Sequence, residues 1–365
     1  MHSIRMKFAL VTALVAVTFW APSSVRVVAQ APVLTMASIA SLAFGPDGTL
    51  FAADNQNAAI VALDLGAQAA GAAGAKGLDG IDQKLAAMLG TGAADITITD
   101  LAVHPRTHNA YISAMRGQGA GAAPTLFRVD GTGKIDLVSM PALKFQRVEL
   151  PNASAAGGTG RGNARANVIT DMAFADGKLW VAGLSNEEFA SKLRAIPYPF
   201  RSADQGTSVE IYHGNHRQLE TRSPVNQFVP YTIDNKPYLL AGYTCTPLVK
   251  FQIADLKPGD KVRGTTIGEF GAGNRVLDMI VYKKAGQEFL LTTNNSRGVM
   301  KIPTRPFATA APITTPVETE TGGVPFEKIT TMTGIQQMDK LDEENSIVIA
   351  RAASGSLSLQ VVPLP

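Results

Sequence analysis

Short segments in which apolar and polar positions alternate recur in pairs along the chain. The clearest first members are residues 98–103, 169–174 and 276–281, and each carries an aspartate at its third position. Weaker copies begin at residues 39, 225 and 335, so successive copies start 51 to 71 residues apart. Each copy is followed, after a short turn, by a second apolar run, as at residues 179–182. Alternation on both sides of a turn predicts six β-hairpins.

The residues between the paired segments favour tight hairpin turns. Asp176-Gly177 and Asp234-Asn235 are pairs that accept the left-handed backbone such turns require. A hairpin that restarts six times, with several short strands in each unit, is typical of a β-propeller. A stacked solenoid would need a tighter repeat, and a two-sheet sandwich would not restart the same hairpin six times. We therefore predict an all-β, six-bladed β-propeller.

Two further segments predict short helical insertions. Ile81, Leu85 and Leu89 recur at helical spacing within an Ala/Gly-rich stretch, which indicates a helix from about residue 81 to residue 89. Ser185 followed by Glu188 forms a capping-box pattern and predicts a second short helix after residue 185.

The two ends of the chain suggest how the ring closes. The last unit, residues 335–365, contains only three strands' worth of sequence, whereas a blade needs four. Residues 33–36 read as a lone strand before the first hairpin. We expect this N-terminal strand to complete the last blade, which would also protect an exposed sheet edge.

The first unit, residues 41–64 (SLAFGPDGTLFAADNQNAAIVALD), resembles the blades of six-bladed propellers of the NHL and gluconolactonase/regucalcin type. Residues 185–305 resemble a family of secreted bacterial propellers. The first resemblance implies a six-bladed ring. It also implies a comparison with enzymes of the gluconolactonase type, which hold a metal with one glutamate and with Asn and Asp ligands from inner positions. The matching positions in this chain contain no glutamate.

Composition narrows the class of protein. The chain has 365 residues, of which 45% are hydrophobic and 17% charged, so it can bury a large core and is not of the disordered type. We expect residues 30–365 to form a single propeller domain, since a closed propeller of this length is one domain. The net charge is +3, and Arg5 and Lys7 supply part of it, so we expect no nucleic-acid partner.

The N-terminus has the pattern of a secretory signal peptide. Arg5 and Lys7 precede an apolar run at residues 8–21, and small or aliphatic residues at 27–29 predict cleavage before Gln30. Residues 1–29 are thus a predicted signal peptide, and the mature protein is expected in the periplasm or outside the cell. The alternative is a retained membrane anchor, although the run is short for a spanning helix. Cys245 is the only cysteine, so no disulfide can form within the chain. We expect the protein to be a monomer.

Aligning the six units places polar residues at one equivalent position near the mouth of the central channel. These residues are Ser41, Asp100, Asp171, Gln227, Asp278 and Gln337. Such an oxygen-rich ring suits a hard divalent cation like Ca²⁺, or the hydroxyl groups of a polar ligand. Asp100, Asp171, Asp278, Gln227 and Gln337 are the candidate metal ligands. Alternatively, the carboxylates accept backbone N–H groups from the neighbouring blade, and a catalytic role is a third possibility.

The turns between second and third strands should meet at the same face and supply further ligand-binding residues. The candidates are Asn55, Asn57, Arg116, Glu187, Tyr243, Cys245, Asn294, Asn295 and Arg297. Cys245 could be a small buried apolar residue, a soft-metal ligand or a nucleophile. His213 and His216 have the spacing of a metal-binding pair, but we place them in a turn between a third and a fourth strand, on the rim and away from the channel.

Two functions from different classes follow. The first is a binding or scaffold propeller that recognises a protein partner or a small polar ligand at this face. The alternative is a metal-dependent hydrolase or lactonase of the gluconolactonase-like type. We assign no catalytic residues and no cofactor beyond the divalent cation, because the sequence contains no nucleophile elbow, phosphate-binding loop or zinc signature.

Overall fold

A computed structural model describes residues 33–68, 74–155 and 164–365. Six sheets formed by these residues surround a central channel, which confirms the predicted all-β, six-bladed propeller. The predicted signal peptide and its boundary at residue 30 lie outside the described residues. We number the blades 1 to 6 in the order in which their inner strands occur in the sequence.

Blades 1 to 3 differ in how their outer strands are supplied. Blade 1 consists of Leu42–Phe44, Leu50–Asp54, Ala59–Asp64 and, after a long excursion, Lys144–Glu149. Blade 2 consists of Ile96–Val103, Ala110–Arg116, Ala123–Val129 and Ile135–Leu137. Blade 3 consists of Asp171–Ala175, Lys178–Leu184, Ser191–Pro197, Thr207–His213 and Gln218–Glu220. Lys261–Arg263 pairs in parallel with Thr207–His213, and so joins blade 3 to the segment before the outer strand of blade 4.

The other blades follow one another in sequence, except that Gly322–Gly323 of blade 4 lies between the third and fourth strands of blade 5. Blade 4 consists of Gln227–Ile233, Lys236–Gly242, Pro247–Gln252, Thr265–Glu269 and Gly322–Gly323. Blade 5 consists of Val276–Lys284, Gln287–Asn294, Gly298–Pro303 and Glu327–Ile329. Blade 6 consists of Ile335–Lys340, Asn345–Arg351 and Leu357–Pro363. Short 3₁₀ turns occur at Ala93–Asp95, Gly119–Gly121, Met140–Ala142, Ala164–Asn167, Ile253–Asp255 and Arg305–Ala308.

The inner hairpins have the turn geometry that their residues predict. Asp176 and Gly177 have φ values of 51° and 72°, and Asp234 and Asn235 have 48° and 60°. Two consecutive residues with positive φ match the right-handed twist of the flanking strands. The sequence therefore fixes these hairpins locally.

The order of the blades around the ring differs from their order in the sequence. Six apolar clusters join neighbouring blades, and they pair blade 1 with 3, 3 with 4, 4 with 5, 5 with 6, 6 with 2, and 2 with 1. Blade 2 therefore lies between blades 6 and 1. The chain leaves blade 1 after its third strand and forms all four strands of blade 2. It then returns to blade 1, where Lys144–Glu149 pairs with the third strand as the fourth.

The predicted closure by an N-terminal strand is wrong. Blade 6 contains three strands, and residues 33–36 form no strand. Leu34 is instead buried between blades 1 and 2. The outer edge of blade 6 is met by Leu78, which exchanges two backbone hydrogen bonds with Leu359 at 2.7 and 2.9 Å. Leu78 belongs to the segment that leads into blade 2, and this segment passes the edge because blade 2 is the neighbour of blade 6.

One of the two predicted helices forms. Ile81–Met88 is an α-helix that begins after Gly80, and its fully buried Ile81 and Leu85 pack against blades 2 and 6. No helix follows Ser185, because the chain enters the third strand of blade 3 at Ser191. None of the described helices has the length and apolar character needed to cross a membrane.

Candidate functional site

Four aspartates on the inner strands each accept hydrogen bonds from two backbone N–H groups. They are Asp100, Asp171, Asp278 and Asp339. In each, one carboxylate oxygen accepts the N–H of the next residue at 2.7 to 2.8 Å. The other oxygen accepts an N–H from the neighbouring inner strand at 2.6 to 2.7 Å, and the donors are Leu42, Phe228, Met338 and Val103 respectively. These inter-blade carboxylate bridges span four of the six junctions around the channel.

Three of these aspartates were predicted to share one ring, and the structure places them there with the expected polar neighbours. With its amide nitrogen facing the carboxylates, Gln337 donates to Asp100 Oδ1 at 2.9 Å and to Asp278 Oδ2 at 3.2 Å. The hydroxyl of Ser41 lies near Asp100 and Asp171 without forming a well-aligned hydrogen bond. Asp339 lies two residues further along its strand and was missed, although it is a lone charge at a channel-facing position otherwise occupied by apolar residues.

The environment of the ring opposes ionisation of the aspartates. Burial raises the pKa of Asp100 to about 7 and that of Asp339 to about 6, although backbone N–H donors act in the opposite direction. Burial, together with repulsion by the neighbouring carboxylates, also raises the pKa values of Asp171 and Asp278 well above their usual range. The channel reaches part of Asp100 and Asp278, so water there screens some of this effect. The ring thus holds protons more tightly than ordinary carboxylates.

The ring divides the channel into two cavities. The cavity at the face where the inner strands begin, called the top face here, has a volume of about 290 Å³. A second cavity, of about 310 Å³, lies at the opposite end, where the four aspartates line it among residues of mostly apolar type. Asp100 and Gln227 line both cavities and therefore lie at the division between them.

Binding of a Ca²⁺-like ion by the ring stays a prediction. The oxygens of Asp100, Asp171 and Asp278 do not all come within 4.8 Å of one another, so in this conformation one ion cannot bind all three. Each carboxylate also uses both oxygens for backbone N–H groups. An ion at this position would therefore compete with the inter-blade carboxylate bridges.

The predicted ligand-binding asparagines mostly hold their own turns. The Asn57 amide donates to Asp54 at 2.7 Å, and the Asn294 amide donates to the carbonyl of Gly298 at 2.9 Å. Asn295 accepts the N–H of Arg275 at 2.7 Å.

Asn55 is the one predicted ligand-binding residue that lines the described top cavity. Its side chain is buried, and its amide nitrogen donates to the carbonyls of Ala166 and Ile169 at 2.7 and 2.9 Å.

The predicted charged residues lie on different blades. Glu187 pairs with the buried Lys192 at 2.5 Å and accepts a bond from Asn152 at 2.6 Å. Arg297 pairs with Glu320, and Arg116 is exposed at the end of its strand. The turns share one face, as expected, but their side chains do not form one pocket.

Tyr243 and Cys245 belong to a second cluster that the sequence did not reveal. His213 ends the fourth strand of blade 3, and His216 follows in the turn before the fifth strand, not between a third and a fourth strand as predicted. Both histidines lie beside Cys245, in the turn between the second and third strands of blade 4. The predicted turn between a third and a fourth strand is therefore wrong, and Cys245 gives the histidine pair a third candidate ligand. Thr207–His213 pairs with the third strand of its own blade only at its start. Its end pairs with Gln218–Glu220 and runs beside Thr265–Glu269 of blade 4.

Comparisons with known proteins identify propellers among solved structures. A proposed oxidoreductase (glucose dehydrogenase) from Thermus thermophilus is 12% identical with a TM-score of 0.34, covering 90% of this chain and 97% of that chain. The β-propeller domain of Cps50 (Swd1) from Myceliophthora thermophila is 10% identical with a TM-score of 0.37, covering 90% and 84%. The GH43B protein of a Bacteroides ovatus xyloglucan PUL is 9% identical with a TM-score of 0.31, covering 80% and 53%. No family model and no curated protein matches the chain.

Proposed function

We propose that this propeller is a binding module that takes a small, hydroxyl-rich ligand into the cavity at its top face. The observation that carries the proposal is a pair of buried polar atoms in the wall of this cavity. Asn55 Oδ1 has no hydrogen-bond partner among the described residues, and Ser41 Oγ, which lies beside the carboxylates of Asp100 and Asp171, forms no well-aligned hydrogen bond. Buried polar atoms are almost always paired, so a bound molecule or ordered water should complete them.

The rest of the wall favours a neutral polar ligand. Thr99, Asn226, Gln227 and Gln337 bring hydroxyl and amide groups to the cavity, and these can both donate and accept hydrogen bonds. Arg275 is an exposed cation in the same wall. A volume of about 290 Å³ is near the lower end of ligand pockets in proteins, which suits a molecule the size of a monosaccharide.

The use of the carboxylates favours binding over metal-dependent hydrolysis. A hydrolase of the gluconolactonase-like type needs ligand oxygens close enough together to bind one metal ion, and those of Asp100, Asp171 and Asp278 do not all come within 4.8 Å of one another. Here Asp100, Asp171 and Asp278 already bond backbone N–H groups with both oxygens. We further propose that the protein works in the periplasm or outside the cell, as the signal-peptide pattern of residues 1–29 indicates.

The test is a thermal-shift and calorimetric titration with D-glucose, D-galactose, L-arabinose and myo-inositol. At least one should raise the melting temperature, because a ligand bound only by the folded state stabilises it by mass action. Gln337→Met removes an amide from the cavity wall and should abolish that response. Gln336→Met is the matched control, since Gln336 precedes it on the same strand but does not line this cavity. The proposal fails if none of the four probes binds, or if Gln337→Met responds as the wild type does.

A further inference from the structure

A compact set of nitrogen and sulfur atoms lies at the top of blades 3 and 4. One ring nitrogen each from His213 and His216 and the thiol sulfur of Cys245 all lie within 4.8 Å of one another. A zinc ion binds nitrogen at about 2.0–2.1 Å and sulfur at about 2.3 Å. Two ligand atoms bound to the same ion are therefore closer together than 4.8 Å. Small side-chain rotations would bring the three atoms to one ion.

The cluster contains buried polar atoms that the protein itself does not satisfy. His213 is fully buried, and its Nε2 has no hydrogen-bond partner among the described residues. Glu269 is also fully buried, and its Oε2 has no partner while its Oε1 accepts the N–H of Gly214 at 2.6 Å. Since buried polar atoms are nearly always paired, these unpaired atoms point to a missing ligand.

A second carboxylate orients the histidines. Glu220 Oε1 lies 2.6 Å from Nδ1 of His216 and 3.1 Å from Nδ1 of His213. The two imidazole rings are in contact, with their centroids 3.7 Å apart and their planes tilted by 37°. A carboxylate on Nδ1 is the usual partner of a metal-binding histidine, because it fixes the ring and leaves Nε2 free for the ion.

We propose that His213, His216 and Cys245 bind a divalent transition-metal ion, Zn²⁺ by their ligand chemistry, with Glu269, which lies outside this 4.8 Å group, as a fourth ligand once its side chain moves towards the ion. Glu269 Oε2 lies 3.7 Å from Nε2 of His213, on the side of the ring away from Glu220. Two imidazoles, one thiolate and one carboxylate are all donors that Zn²⁺ accepts in tetrahedral sites. This site is separate from the top cavity, since none of its residues lines that cavity, so it stands independently of the proposed function.

The cluster is accessible and its backbone is held in an uncommon conformation. The His216 side chain is 40% exposed and gives an ion a route from solvent. Cys245 and Thr246 have φ values of 61° and 57°, which non-glycine residues rarely adopt. The turn is fixed by bonds from the Cys245 N–H to the carbonyl of Asn274 and from Thr246 Oγ1 to that of Gly271. The thiol is thereby kept beside the histidines.

The test begins with metal-stripped, full-length protein titrated with Zn²⁺ and, separately, with Co²⁺. We expect binding of one Zn²⁺ per chain. We also expect a Co²⁺ spectrum with a thiolate charge-transfer band and the intense visible bands of a tetrahedral site. Zn²⁺ should also slow the alkylation of Cys245 by iodoacetamide, a reaction specific to this residue because the chain has one cysteine.

Variants assign the ligands. Cys245→Ser should abolish the charge-transfer band, and His216→Ala should abolish one-to-one Zn²⁺ binding; both positions reach the surface, so the variants should fold. Glu220→Gln should weaken Zn²⁺ binding by about 10- to 100-fold, as expected for a residue that orients a ligand. His108→Asn is the control, a histidine remote from the cluster whose left-handed backbone (φ 56°) asparagine tolerates, and it should bind Zn²⁺ as the wild type does.

Three results would overturn the proposal. The first is the absence of one-to-one Zn²⁺ binding by the wild type. The second is Zn²⁺ binding that survives both Cys245→Ser and His216→Ala, which would place the ion elsewhere, for example at the aspartate ring. The third is a site that binds copper and rejects Zn²⁺ and Co²⁺.

Discussion

The protonation of the aspartate ring predicts an unusual dependence of stability on pH. Asp100 has a pKa of about 7 in the folded protein, raised by burial, against 3.8 for the free side chain. Between these values the unfolded chain has lost the proton that the folded protein keeps. Because the folded state then binds more protons, the free energy of unfolding falls as pH rises. This contribution is fully present below pH 4, decreases through pH 7, and is constant above it.

The size of the effect follows from the two pKa values. One pKa unit corresponds to about 1.4 kcal/mol. Between pH 5 and pH 8, a carboxyl group with these values lowers the free energy of unfolding by about 2.5 kcal/mol. Water in the channel screens part of the charge, so this value is an upper limit for Asp100. The Asp100→Asn variant cannot ionise at this position and should lose correspondingly less stability over the same range.

The assay is urea denaturation of wild type and Asp100→Asn at pH 5 and pH 8, in the presence of EDTA. The control is Asp176→Asn, which changes an exposed carboxylate in a hairpin turn whose backbone asparagine accepts. The control should keep the pH dependence of the wild type. Equal pH dependence in wild type and Asp100→Asn would refute the reasoning, because it would show that Asp100 is ionised in the folded protein throughout this range.

Three other predictions concern the ring, a strand contact and the helix. If the predicted ion binds the ring, Ca²⁺ at a hundredfold excess over its dissociation constant should stabilise the wild type by about 2.7 kcal/mol, and a variant with Asn at all three predicted aspartates should not respond in thermal melts. Gly183→Ala should cost about 3 kcal/mol or more in denaturant unfolding, since its new Cβ would lie 2.0 Å from the carbonyl oxygen of Val168; an unchanged midpoint would contradict this close contact. Leu85→Ala should lower the free energy of unfolding by about 2–5 kcal/mol, because Leu85 is fully buried. Met88→Ala, at a side chain that is 43% exposed, should change it by less than about 0.5 kcal/mol. Equal effects of the two substitutions would argue against packing of this helix on the propeller.

The channel-facing aspartates illustrate what a repeat can and cannot reveal. Their equivalent positions in the units place Asp100, Asp171 and Asp278 in one ring, and this was read directly from the alternation of the strands. The sequence left open whether they bind an ion or backbone groups. Only the structure shows the N–H groups of Leu42, Phe228 and Met338 at their oxygens, because those donors belong to neighbouring blades.

The sequence by itself determined the hairpins, the number of blades, the helix at residues 81–88 and the class of the fold. These features depend on the alternation of side chains and on turn residues, which act over a few positions along the chain. The tertiary structure alone decided that blade 2 lies between blades 6 and 1, since all the blades present similar apolar faces and the sequence does not say which faces pack together. It also decided that His213 and His216 meet Cys245, because the strand ending at His213 separates from the third strand of its blade and runs beside Thr265–Glu269 of blade 4, about 50 residues later in the chain. Contacts of this kind depend on how distant segments pair, and no local pattern encodes them.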